Sequence, residues 1–152
     1  MADNNRYKEL FALATILGLS GLLRLAFIHV PFDPDEGQYA AIAQEILRGG
    51  LPYRDAIEIK PPGVFYLYAL AFEIFGATTE GIRIFTAFYV MGTVTAVYLV
   101  GRRVAGIAAG LLGAAIFAVF SSHPLMEGRS SNSEVFLILP LTLGAWFMLG
   151  AI

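Results

Sequence analysis

Three groups of residues have the types and spacing to do chemistry. Asp33, Asp35 and Glu36 fall within four positions, directly after a long apolar block. Carboxylates crowded in this way raise one another's cost of ionisation, and such crowding is a mark of functional sites. Lys60 precedes Pro61 and Pro62, which can open a helix at its first turn. A lysine beside free backbone N–H groups at a helix start makes a site for an anion, and a phosphate at a membrane surface is the natural ligand. Glu127, Arg129, Asn132 and Glu134 form the third group, at the mouth of two apolar segments. The functional reading of the third group is a second acid that meets the first across the membrane surface.

Each group also has a purely structural reading. Asp33 suits an N-cap, Pro34 the first helical position, and Glu36 the reciprocal partner of a capping box. Asp35 is surplus to that cap. Lys60 can extend to lipid headgroups as any interfacial lysine does. Ser131 or Asn132 can cap the last helix, with Glu134 in its first turn. His29 and His123 stand alone without metal-ligand spacing, and there is no cysteine. Arg24 sits near the outer end of the first apolar block, where it can extend outward or pair with an outer acid.

The elements that must position these residues are membrane helices. Only 14% of the 152 residues are charged, the mean hydropathy is +0.69, and apolar residues come in blocks rather than in a 2 or 3.6 period. A net charge of −2 gives no reason to expect a nucleic-acid partner. Spans are predicted at about 10–30, 84–100, 104–120 and 135–152, each near the roughly 30 Å of a bilayer core. The block at 63–76 is shorter and contains Glu73, so it is read as an interfacial or re-entrant helix. Arg6, Lys8, Arg102 and Arg103 then share the inner side, and the loops at 31–81 and 121–134 share the outer one. In the first outer loop, Tyr39, Ile42, Ala43, Ile46 and Leu47 make one stripe of an amphipathic surface helix over 34–48, stopped by Gly49-Gly50. Gly106 and Gly110 form a small-xxx-small pattern for close helix packing. The chain is one all-α polytopic module. Because it stops at Ile152 inside apolar sequence, it is expected to be the N-terminal piece of a longer protein.

These groups, in this order, resemble the C-class membrane glycosyltransferases, above all the protein mannosyltransferase and aminoarabinose transferase branches. PDEGQYAAIAQEILRGGLPYRD is similar to their first outer loop, KPPGVFYLYALAFEIFG to their Lys-Pro-Pro segment and interfacial helix, and SSNSEVFLILP to their second acidic loop. The resemblance implies inverting transfer of a sugar from a polyprenyl-phosphate donor to a lipid, glycan or protein acceptor, at the outer face of the cell membrane. It makes Asp35 the general base, Glu36 its acidic companion and Lys60 the contact to the donor phosphate. Glu134 matches the second-loop acid, which positions the acceptor or holds a divalent cation together with Asp35. Asp33, Tyr39, Tyr53, Arg54 and Asn132 are the further candidate contacts to donor or acceptor. The acids alone leave metal dependence open, and no other cofactor is implied. The fragment by itself is expected to be inactive. The rival readings are a transporter segment, disfavoured because charges sit at span ends, and a non-catalytic membrane scaffold.

Overall fold

A computed structural model describes residues 2–151, with side chains from residue 5. The fold is all-α: among the described residues there is no strand, and one isolated bridge joins Pro52 to Ala56. Helix α1 covers Ala2–Leu25, α2 Pro34–Leu47, α3 Gly63–Phe75, α4 Thr79–Phe120 and α5 Ser133–Met148, with a short 3₁₀ turn at Pro124–Met126. α4 is the one described helix long and apolar enough to cross a bilayer by length and composition; α3 and α5 are shorter and apolar.

α4 is two helical arms. Ala105 and Gly106 leave helical geometry, and Gly106 adopts φ 85, ψ −178, a region open essentially to glycine. The arms then run back along each other: a Cβ on Gly110 would lie 2.7 Å from the Tyr98 carbonyl oxygen, and one on Gly101 2.9 Å from Gly110 Cα. The small-xxx-small pattern therefore divides its labour. Gly110 permits close packing, whereas Gly106 makes the turn. The turn also lies past Arg102 and Arg103, which remain helical, rather than at them. Tyr98, Val94 and Val90 of the first arm pack with Ala114 and Ala118 of the second, and Leu13, Ile16 and Leu17 of α1 close this cluster. Phe11, Leu22, Phe88, Leu112 and Leu141 point outward, more than half exposed. That is an apolar outer surface suited to lipid, over a core that is itself apolar.

The two ends of the bundle are distinct. At one, Arg102 lies 2.8 Å from Glu9, Tyr98 donates to the same carboxylate, and Arg103 donates to the Trp146 carbonyl at 3.0 Å. The start of α1, the hairpin turn and the end of α5 thus meet. At the other end, the segments after α1, before α3 and before α5 meet.

α2 begins as the sequence predicts. Asp33 accepts from Glu36 N at 2.9 Å, and Glu36 accepts from Asp33 N at 3.1 Å, with Pro34 at the first helical position. Its apolar stripe does not face lipid but packs on α3: Tyr39 meets Phe65 and Tyr68, with ring centroids 5.8 and 5.7 Å apart. Leu47 falls off the stripe and is exposed. α1 ends five residues short of the predicted span, in a turned segment that leads to Pro31.

Candidate active site

Asp35 and Glu36 are neighbours on the first turn of α2, so the roughly 100° step of a helix sends them to different faces. Glu36 turns inward and is 1% exposed. It pairs with buried Arg83 of α4, taking Arg83 Nη2 at 2.9 Å and a shorter contact from Nη1. It also accepts from Ser131 N at 2.6 Å. Arg83 donates in addition to Ser131 Oγ at 3.0 Å and to the Val30 carbonyl at 3.2 Å. Thr86 reaches Ser131 Oγ at 2.8 Å, and the Tyr68 hydroxyl donates to the Ser131 carbonyl at 2.9 Å. These donors offset the cost of taking the carboxylate out of water. Glu36, grouped with the reacting acids on sequence, is thus enclosed in protein and ties three segments together.

Asp35 turns outward. Its carboxylate lies 3.9 Å from Lys60 Nζ, and Glu134 Oε1 lies 3.5 Å from the same nitrogen. One lysine therefore joins the acids of the two loops. The ammonium, beside the Tyr39 phenol, Glu134 and Asp35, is held above the ordinary lysine range. Glu134 is held below the ordinary carboxylate range, first by the backbone N–H at the start of α5 and then by the Ser133 hydroxyl and Lys60. Burial pushes the Tyr39 phenol up, and its hydroxyl has no hydrogen-bond partner among the described residues.

The other candidates divide. Tyr53, in left-handed backbone at φ 66, donates its hydroxyl to the Lys60 carbonyl at 2.6 Å, and Glu58 accepts from Lys60 N at 3.3 Å. Both fix the lysine's backbone. Arg54 pairs with its neighbour Asp55 at 2.6 Å on an exposed turn, and Asp33 is engaged in the cap. Asn132 is the N-cap position of α5, but its side chain makes no capping bond. His29 lies 3.4 Å from Glu80, and His123 accepts from Leu125 N. Arg83 and Ser131 carry the site's frame; the sequence offered Ser131 only as a helix cap and gave Arg83 no role in the site. The signal for Arg83 was a lone arginine one turn into an apolar segment, which requires a buried partner.

Two cavities flank Glu134. One, of about 610 Å³, is lined by Arg24, Asp35, Asn132 and Glu134 and walled by Val90, Phe117 and Ile138. The other, of about 340 Å³, is nearly all apolar, with Lys60 and Glu134 as its charged residues. Among the described residues no three metal-ligating side chains gather. Asp35 and Glu134 converge on an ammonium.

Comparison with known proteins identifies the family. The family described as dolichyl-phosphate-mannose-protein mannosyltransferase matches residues 59–152, a stretch that includes Lys60 and Glu134 but begins after Asp35. An undecaprenyl phosphate-alpha-4-amino-4-deoxy-L-arabinose arabinosyl transferase of Pseudomonas savastanoi pv. phaseolicola is 33% identical over 106 residues, covering 66% of this chain and 20% of that protein. A polyprenol-phosphate-mannose–protein mannosyltransferase of Corynebacterium glutamicum is 28% identical over 124 residues, 76% of this chain and 24% of the relative. An uncharacterized protein of Aquifex aeolicus is 28% identical over 143 residues, 87% of this chain and 29% of the relative. The chain thus spans less than a third of the length of these curated relatives. No solved structure matches it. With more than half of its residues inside the family match, this chain belongs to the dolichyl-phosphate-mannose-protein mannosyltransferase family.

Proposed function

We propose that the chain supplies the acid–base and phosphate-binding groups of a glycosyltransferase that works at the outer face of the cell membrane. The donor is a sugar on polyprenyl phosphate, and the acceptor is a lipid, a glycan or a protein. The observation that carries this reading is Lys60 Nζ lying 3.9 Å from Asp35 and 3.5 Å from Glu134, with three separate segments brought to one end of the bundle. The names of the relatives support the donor class.

The reaction is a single displacement. Asp35 takes the proton of the acceptor's O–H or N–H as that atom attacks the anomeric carbon. The carbon–oxygen bond to phosphate breaks, its electron pair leaves with the polyprenyl phosphate, and the configuration inverts. Lys60 offsets the charge that grows on the leaving phosphate. Glu134 keeps Lys60 charged and positions the acceptor. Glu36 acts through Asp35 by fixing the helix turn that carries it. The apolar cavity beside Lys60 gives the carrier's hydrocarbon a place next to its phosphate. The activity is that of the full-length enzyme, and these residues alone are expected not to transfer sugar.

Asp35→Asn in the full-length protein tests the assignment. A positioned base contributes roughly 10²–10⁴-fold, so transfer should fall by about that factor while donor binding persists. Unchanged transfer would remove Asp35 as the base.

A further inference from the structure

The larger cavity has an acidic rim and a cationic floor. Asp35, Glu127 and Glu134 line it and are exposed, whereas Arg24 is 5% exposed. Arg24 Nη2 donates to the Ser121 carbonyl at 2.6 Å and Nη1 to the Ser130 carbonyl at 3.2 Å. These bonds tie α1 to the end of α4, where carbonyls at a helix C-terminus partly offset a positive charge. They use two of the five N–H donors of a guanidinium. Nε has no hydrogen-bond partner, and among the described residues Arg24 has no ion-pair partner. The buried carboxylate that could have served, Glu36, is taken by Arg83. Ser121 Oγ and Asn132 Oδ1, on residues of the same lining, are also buried without partners. The rim acids are engaged elsewhere: Asp35 and Glu134 face Lys60, and Glu127 accepts from the Ser130 hydroxyl at 3.2 Å. A buried guanidinium without an anion is costly, and its planar fork matches a phosphate or carboxylate.

We propose that Arg24, with the Ser121 hydroxyl, forms a subsite for an oxyanion, phosphate or carboxylate, carried by the sugar acceptor. The inference rests on the transferase reading for the word acceptor, since Asp35 as base requires the nucleophile in the cavity that Asp35 lines. Lys60 lines the other cavity, so the donor phosphate and the acceptor's oxyanion have separate cations. An acceptor with its anion on Arg24 presents its nucleophile toward the rim, next to Asp35.

The probes are hexyl phosphate and hexanoate, with hexanol as the neutral control. Binding to the full-length protein in detergent is measured by calorimetry. At least one of the two anions should bind and hexanol should not. Arg24→Gln should weaken the anion by about 10- to 100-fold, the range of lost charge-assisted hydrogen bonds, and anion binding at this subsite should persist in Lys60→Gln. Equal binding of hexanol, or an Arg24→Gln variant within about threefold of wild type, would overturn the subsite. Loss in Lys60→Gln alone would assign the oxyanion to the donor phosphate and overturn it too. Should Arg24→Gln fail to fold, Ile138→Trp fills the cavity without touching Arg24 and must abolish binding; retained binding overturns the proposal. Sugar transfer by the wild type is assayed in parallel. Anion binding without transfer sinks the transferase reading and keeps the subsite, and transfer without anion binding does the reverse.

Discussion

Arg83→Leu should be among the most damaging single changes in the chain, although Arg83 lines neither cavity. The Arg83 and Glu36 side chains are 4% and 1% exposed. The substitution removes both guanidinium bonds to Glu36, the bond to Ser131 Oγ and those to the Val30 and Pro31 carbonyls. Glu36 keeps Ser131 N and Asp33 N as donors, yet becomes a buried anion with no cation. Breaking one side of a buried pair costs about 3–5 kcal/mol, a large part of the roughly 5–15 kcal/mol that holds a typical domain. The assay is unfolding of the full-length protein in mixed micelles with rising SDS fraction, followed by circular dichroism. Arg83→Leu combined with Glu36→Met should be less destabilised than Arg83→Leu alone, because no orphaned charge remains. A single variant within about 0.5 kcal/mol of wild type would refute the reasoning. So would a double variant whose losses simply add.

Single cysteines test the topology, since the sequence has none of its own. An impermeant thiol reagent added outside should label Thr78→Cys and Leu125→Cys but not Val104→Cys, at the opposite end; labelling of Val104→Cys from outside would reverse the arrangement. Gly106→Ala should destabilise the helical hairpin by about 1–3 kcal/mol because of its left-handed backbone, read as a lower midpoint in the same SDS titration. Glu134 has a depressed folded-state pKa, so its contribution is complete above the ordinary glutamate value of about 4.3 and fades as pH falls through the folded value. The stability gap between wild type and Glu134→Gln should be small, as the side chain is 69% exposed, flat from pH 7 to about 5, and should shrink as pH falls below the ordinary glutamate value.

Local signals were legible in the sequence because they are carried by adjacent residues. The Asp33–Glu36 capping box, Pro34, the stop at Gly49 and the bounds of α3 follow from chemistry within one turn. The gathering of Asp35, Lys60 and Glu134 was reachable only through charge placement along the chain, which put both loops on one side. What the sequence could not supply was partner identity across long separations. Glu36 and Arg83 are 47 residues apart, and Arg24 and Ser130 106 apart. Nor could it say that the stripe on α2 meets α3 rather than lipid, since both surfaces are apolar and give one pattern.

The site follows one rule of construction at two of its three segments, those of Asp35 and Glu134. A residue facing inward is fixed by several buried bonds, and a residue within three positions of it faces outward with a reactive group. Glu36 is held by Arg83 and Ser131, and Asp35 follows its position. Ser131 is bonded through N, O and Oγ, and Glu134 begins the helix just beyond. Lys60 is held through its own carbonyl by Tyr53 and its own N–H by Glu58. The first two anchors share Glu36, Arg83 and Ser131, so the distance between Asp35 and Glu134 is set by a network that neither side chain touches. Loosening that network should therefore reduce transfer with all three reactive groups intact. Arg83→Lys keeps the charge but loses the fork that reaches Glu36 and Ser131 together, so it should retain more stability than Arg83→Leu and still lose activity.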